Sequence, residues 1–349
     1  MKPSEMDAFI AFSDAIYEPA FRTEDKAELR ALLMKQHALS HYFTVIPSVV
    51  KQANDILARC VVTIYPDDEV AYMGYFESVE NHEAARLLFA FAEQEVREHG
   101  KVAIEGPLNA SFWLGYRLKV NAFAERPYFG EMYHPSYYQE LWLANGFEQT
   151  ETYFSNYYAT VDEKMDQLKY SKRFDQFLGK GYQIKSPSKE TLDIDFLAVA
   201  ELIQERFQTF PAFKGIELAE FMDLFVALKQ ILHERYVKLA FDQNDELVGF
   251  LISLPDYGNL FKKEKRGVAT LLRFIWKKYT TRHYVILYMG VKEGHEGLGS
   301  ALVYTLMESY RKRKIKAVSS YIQAGKVSGS YAFPSIEKQN AYAYYRKTF

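Results

Sequence analysis

The stretch YMGYFESVENHEAARLLFAFAEQEVREHGKVAIEGP, which begins at Tyr72, is answered later by YMGVKEGHEGLGSALVYTLMESYRKRKIKAVSSYIQ, which begins at Tyr288. Both read strand, turn, helix, strand. Lys101 follows the first opening tyrosine by 29 positions and Lys316 the second by 28, so helix and return strand fall nearly in register. In each helix the apolar residues keep a 3.6 period: Ala84, Leu88, Phe91, Ala92 and Val96 in the first, Leu302, Val303, Leu306, Met307 and Tyr310 in the second. Each copy is one βαβ unit, and self-similarity on this scale records a duplication. A duplicated chain of 349 residues with 48% hydrophobic residues suits two domains, each with its own core.

The flanking elements agree with this division. Residues 5–17 and 24–37 read as helices, and Ala58 to Tyr65 pairs with Val70 to Glu77 as a hairpin across the turn PDDE. In the second half Gly181 to Lys185 reads as a strand, 192–207 and 217–233 as helices, and Tyr236 to Phe241 as the partner of Leu247 to Leu254. Each βαβ unit is followed by an aromatic-rich segment read as a helix, Ser136 to Phe147 and Glu337 to Phe349. Residues 160–180 read as a connecting helix, and Gly258 to Arg282 inserts a basic helix between strands. The expected class is mixed α/β (α+β), with domains at 1–160 and 181–349 joined by 161–180.

Charge and cysteine usage narrow the setting. Lys and Arg number 43 against 45 Asp and Glu, and a net charge of −2 gives no general reason to expect nucleic acid or an anionic membrane as a partner. The single cysteine, Cys60, excludes an internal disulfide and a cysteine-built metal site. The opening MKPSEMDAFIAF carries acids where a secretory leader needs a basic and then apolar run, and no apolar stretch approaches the ~20 residues that span a bilayer. The expectation is a cytoplasmic protein without a metal.

The loop of the second copy, KEGHEGLGS, carries the chemistry. A phosphate cradle of the GxxxxGK[ST] kind is excluded, because no Lys follows the glycines. A dinucleotide fingerprint is weak, because Leu302 stands at the third glycine position and the return strand ends in Ile322 and Gln323, where an acid is needed. Two readings stay open. Backbone N–H groups from His295 to Ser300 converge on the positive end of a helix and bind an anion, or the glycines only turn the corner.

At this loop the chain resembles the GNAT acyl-CoA N-acyltransferases, and its duplication resembles the tandem GNAT proteins. The resemblance implies that Met289, Gly290 and Val291 pair with the pantetheine arm of an acyl-CoA. It also implies that the pyrophosphate lies on the loop through Gly294, His295, Gly297, Leu298, Gly299 and Ser300. The family's Arg or Gln stands here as Gly294, and the stretch from Val291 to Gly297 is about two residues shorter than usual. On the closing segment, read as the family's last helix, Asn340 would face the cofactor, and Tyr344 or Tyr345 would protonate the departing thiolate. Asn340 and Tyr344 share a helical face, and Ala341 and Tyr345 fit the usual spacing. The chain stops at Phe349, before the strand that usually ends the domain. The first copy has FESVENHEA for the loop, with no glycine, and reads as a degenerate domain; in its turn-rich stretch Gly106 to Lys119 the residues Asn109, Ser111 and Arg117 read first as ordinary loop caps and second as the lining of an acceptor groove.

The function this implies is transfer of an acyl group, acetyl above all, from CoA to an amine of a small molecule or peptide by direct attack and without a metal; no side chain is an obvious base, Glu293 and Asp256 stand at suitable strand ends, and deprotonation through water is equally compatible. Two rivals share the fold. One is a binding protein that has lost transfer, and the other is a tRNA-dependent aminoacyltransferase that would use the basic 262–283 helix, against which the near-neutral charge argues.

Overall fold

A computed structural model describes residues 1–161, 168–188, 190–262, 267–331 and 335–349. The helices among these residues are α1 (Pro3–Ala11), α2 (Ser13–Ile16), α3 (Lys26–Leu33), α4 (His82–Glu98), α5 (Tyr138–Ala144), α6 (Leu168–Gly179), α7 (Leu192–Phe207), α8 (Leu218–Ile231), α9 (Val268–Thr280) and α10 (Leu298–Arg311). The strands are β1 (Thr44–Gln52), β2 (Asp55–Ile64), β3 (Val70–Ser78), β4 (Ala103–Gly106), β5 (Leu118–Lys119), β6 (Glu148–Tyr158), β7 (Gln183–Lys185), β8 (Val237–Phe241), β9 (Leu247–Pro255), β10 (His283–Val291), β11 (Lys316–Ser319), β12 (Ile322–Gln323) and β13 (Ile336–Thr348).

Local chemistry explains the boundaries. Asn81 caps α4 by accepting from the Ala84 N–H at 2.9 Å. Asp242 Oδ1 accepts from the N–H groups of Asn244 and Glu246 at 2.8 and 3.0 Å, which turns the chain between β8 and β9. The buried stripe of α10 holds Leu302, Val303, Leu306, Met307 and Tyr310, the residues its period marks. In α4 one position differs, because Phe89 is buried and Phe91 is 41% exposed.

The chain forms two compact units. The first takes Met1–Tyr153, Gly258–Lys265 and Asn340–Phe349, and the second takes Phe154–Tyr257 and Arg266–Gln339. In the first, the strand order is β1-β2-β3-β4-β13-β6, with β3 and β4 parallel, and α4 and α5 pack on a core around Phe76, Phe89 and Trp142. In the second, the order is β6-β11-β10-β9-β8-β7, with β10 and β11 parallel, and α6 and α10 share a core with Tyr236 and Tyr284. Of the segment read as a connecting helix, 162–167 lie outside the described residues; α6 is more than a connector, since its Tyr170 and Phe177 belong to that core and Phe174 packs against it.

The largest departure from the sequence reading is at the end of the chain. Residues 337–349 were expected as a helix and form strand β13, in which Tyr345 pairs with Gly106 and Thr348 with Ala103. Tyr342, Ala343, Tyr344 and Tyr345 are all buried, so both faces of the strand are covered, as suits a run rich in tyrosine. The last ten residues thus belong to the first unit, whereas the boundary at 181 had assigned them to the second domain. The second unit's sheet is completed instead by β6, where Tyr158 pairs with Ala317 and Tyr157 with Val318.

Candidate functional site

The site of interest lies in the second unit, where β10 runs into α10. Strand β10 pairs with β11 only from His283↔Lys316 to Ile286↔Ser319, and the Ser320 N–H adds one last bond to Ile286 O at 2.7 Å. A bulge follows between Ile286 and Tyr288, after which Met289, Gly290 and Val291 pair on the other side with Leu251, Phe250 and Gly249 of β9. The chain after β11 leaves β10 and pairs through β12 with β6. Two strands that start parallel therefore separate beside Met289 to Val291.

The loop then turns tightly. Lys292 N–H donates to Val248 O at 2.8 Å, and Lys292 pairs with Glu246. Gly294 and Gly297 have φ of 85° and 93°, and the Gly294 N–H donates to Glu296 Oε1 at 3.2 Å. These left-handed angles are where glycine is needed. Gly297 is the N-cap of α10; Leu298 N–H donates to His295 O and Ser300 N–H to Gly297 O, both at 3.1 Å. Leu298 is fully buried and anchors the first turn in the core, which aims the positive end of the helix at the loop.

Three side chains that the sequence did not single out crowd this turn. A Cβ at Gly297 would stand 3.5 Å from Nε of Arg173, so a guanidinium from α6 lies alongside the N-cap. A Cβ at Gly299 would stand 2.4 Å from the hydroxyl of Tyr331 and 3.6 Å from Cε of Met289. His295 Nδ1 shares a 2.8 Å hydrogen bond with the hydroxyl of Tyr182. Further along β10, Tyr288 lies 6.0 Å from Phe207 and 6.2 Å from Phe225 in ring centroids, so α7 and α8 give the strand an aromatic wall. One signal for Arg173 was available: Tyr170, Phe174 and Phe177 mark a buried face on its helix.

The expected acid–base groups are placed otherwise. The Glu293 side chain is 89% exposed and 3.9 Å from Arg206. Asp256 adjoins the first residues of β10, at the strand end opposite the loop, where its N–H donates to His283 O. Asn340, Tyr344 and Tyr345 belong to the first unit. Asn340 Nδ2 donates to Glu131 Oε1 at 3.1 Å, beside the buried Lys119–Glu131 pair at 2.6 Å. The Tyr344 hydroxyl donates to Glu105 at 3.3 Å, and burial pushes its acidity well down. Tyr345 packs at 5.7 Å on Trp142. Their assignment to a cofactor-facing helix fails because that segment is a strand.

The first unit shows what fills the equivalent edge when the loop glycines are missing. After β4 the chain stays on β3: Leu108 N–H donates to Met73 O at 2.9 Å, and Asn109 Oδ1 accepts from the Tyr75 N–H at 2.7 Å. A Cβ on Gly74 would lie 1.9 Å from Leu108 O, so only glycine permits this approach. The Asn109 side chain is thus spent on the backbone, in the capping role read first for this stretch, and not on a groove. Arg117 is 7% exposed, with its guanidinium over the rings of Tyr116 and Tyr153.

No family model and no curated protein matches the sequence. Solved structures do. A tandem GNAT protein from the clavulanic acid biosynthesis pathway, in a form without AcCoA, aligns over 99% of this chain and 96% of its own, with a TM-score of 0.54 at 10% identity. The chain has the tandem GNAT fold. A GCN5-related glucosamine N-acetyltransferase region of a fungal multi-domain GH3 β-N-acetylglucosaminidase aligns over 98% of this chain and 37% of its own (TM-score 0.57, 13% identity). A conserved Enterococcus faecalis V583 protein of unknown function aligns over 100% and 71% (TM-score 0.50, 10% identity). On the tandem GNAT fold, the parting of β10 from β11 and the glycine turn into α10 lie in one βαβ unit, the second. Among the described residues, no three His, Cys, Asp or Glu side chains are placed to hold a metal ion.

Proposed function

We propose that the second unit binds an acyl-CoA along β10 and at the N-terminus of α10, and that the protein transfers the acyl group to an amine. One observation supports this most. The only βαβ unit whose strands part, among the described residues, is the one whose helix begins at a left-handed glycine with a guanidinium alongside. Backbone groups of Met289 and Val291 would hold the pantetheine arm, and the N–H groups at Gly297 and Gly299 would hold the pyrophosphate. Arg173 would supply the positive charge that Gly294, in the position of an Arg or Gln, does not. The co-substrate brings an activated thioester; the chain brings orientation and backbone polarisation, and the aromatic wall of Phe207, Phe225 and Tyr288 borders the approach of the amine.

The reading is tested by titrating the full chain with CoA and acetyl-CoA. Arg173→Ala should weaken binding by ~10- to 100-fold, the worth of one or two charge-assisted hydrogen bonds. Gly297→Val should weaken it more, through backbone strain and a blocked amide. Absence of binding by the wild-type chain at millimolar CoA refutes the proposal. A second reading, CoA binding without transfer, is favoured by the exposure of Glu293 and by the place of both tyrosines in the first unit. Turnover in an amine screen separates the two.

A further inference from the structure

Helix α9 buries none of its residues. Val268, Leu271, Leu272, Ile275, Trp276 and Tyr279 are 46–74% exposed. At 100° per residue these six fall within an arc of about 140°, so they form one continuous apolar stripe along the helix. The opposite side is fastened to the second unit. Phe274 lies 5.4 Å from Tyr257, Lys277 Nζ donates to Asp256 O at 3.1 Å, and Lys278 Nζ donates to Gln230 O at 2.8 Å. The stripe is thus held facing outward by design of the contacts beneath it, and an exposed apolar stripe of this length marks an interaction surface.

The charge around the stripe selects its partner. Among the described residues of α9 and its C-terminal extension to Arg282 there is no acid, and the cations that do not fasten the helix are Arg273 and Arg282. Arg273 and Arg282 are exposed, and the basic run Arg311 to Lys316 adjoins the end of the helix, where Arg313 donates to Tyr279 O at 2.8 Å. Two copies of such a face would repel one another. An anionic sheet of headgroups with an apolar layer beneath satisfies both features, because the stripe can enter the acyl boundary while long cationic side chains stay at headgroup level. We propose that α9 is the element by which this protein docks on an anionic lipid surface. The helix lies in the plane of that surface; among the described residues no helix is long and apolar enough to cross it. The protein's overall charge of −2 hides the patch, which is why composition gave no reason to expect a membrane.

The test is flotation of the full chain with phosphatidylcholine vesicles, with and without one lipid in four replaced by phosphatidylglycerol. We expect at least about tenfold stronger partition with the anionic lipid and a marked loss between ~0.05 M and ~0.5 M salt. Trp276 emission should shift to the blue, and Trp276→Phe should remove that shift. The pair Leu272→Glu and Trp276→Glu should abolish flotation with the thermal midpoint unchanged, since both side chains are exposed. No preference for the anionic vesicles overturns the proposal, as does flotation undiminished in the double variant, which would reduce the effect to the basic run alone. Self-association of the wild type that the double variant abolishes would make a second copy the occupant and overturn it equally.

Discussion

The two YMG triplets show how one residue pattern serves two ends. Tyr72 still pairs across β3 and β4 with Glu105, whereas Tyr288 lies beyond the last residue of β10 that pairs with β11. Gly74 admits the Leu108 backbone; Gly290 admits the ring of Phe250, 2.6 Å from where a Cβ would be. The closing tyrosines make the same point about context. If they pack rather than donate protons, Tyr344→Phe should cost at most ~1 kcal/mol, because Arg346 still bridges Glu105 at 2.8 Å. Tyr345→Ala should cost ~3–5 kcal/mol by opening a cavity against Trp142. Neither should change CoA affinity. Urea unfolding and CoA titration of the two variants check this, and a loss of turnover in Tyr344→Phe at unchanged stability would return that residue to the chemistry.

Among the elements, β13 has the most consequence. It pairs with β4 and β5, and Lys347 reaches Glu93 and the Asn145 carbonyl of the first unit. Removing Asn340–Phe349 should therefore unfold the first unit, although by position in the chain these residues end the second. Trp142, fully buried against Tyr345, is the reporter: its emission should shift to the red in the truncated chain. Protection of Trp142 in that variant would show that the strand is dispensable. Helix α9 illustrates the reverse case, an element whose amphipathic period is plain but whose apolar side faces away from the core.

At the scale of the whole molecule, buried titratable groups give opposing pH dependences. His134 is held down to about 3 by burial and by the Lys119 ammonium, so the unfolded chain takes up a proton below about 6.5 that the folded chain refuses. Its share of stability is present above 6.5 and is lost as pH falls. Glu28 is raised to about 7 by burial, against the Lys262 charge, and burial moves Glu77 in the same direction. Between about 4.5 and 7 the folded chain keeps protons that the unfolded chain releases, so their share falls as pH rises and is level above that. Between about 4.5 and 6.5 His134 offsets only one of the two carboxyls, so the three together leave stability falling as pH rises. Single variants should uncover them at ~1.4 kcal/mol per pH unit: His134→Gln should gain on the wild type as pH drops below 6.5, and Glu28→Gln as it rises from 4.5 to 7. Urea unfolding at four pH values measures both slopes; parallel curves for either variant would count against the assignment.

What the sequence determined by itself was whatever depends on neighbours within about thirty residues. The duplication, the two βαβ units, the stripe of α10 and the glycine turn at Gly294 and Gly297 were all legible, because periodicity and turn chemistry act locally. The tandem GNAT fold followed from their order. Tertiary structure decided what depends on distant partners. The segment Asn340 to Phe349 has a spacing that suits a helix, yet it meets Gly106 and Leu118, more than two hundred positions earlier, as a strand, because a run of tyrosines gains most where both of its faces are covered. Arg173 reaches the glycine turn only because α6 packs beside α10 in one core. The edge of β10 is open only because the chain after Ser320 leaves it for β6, and no local pattern records where a strand departs.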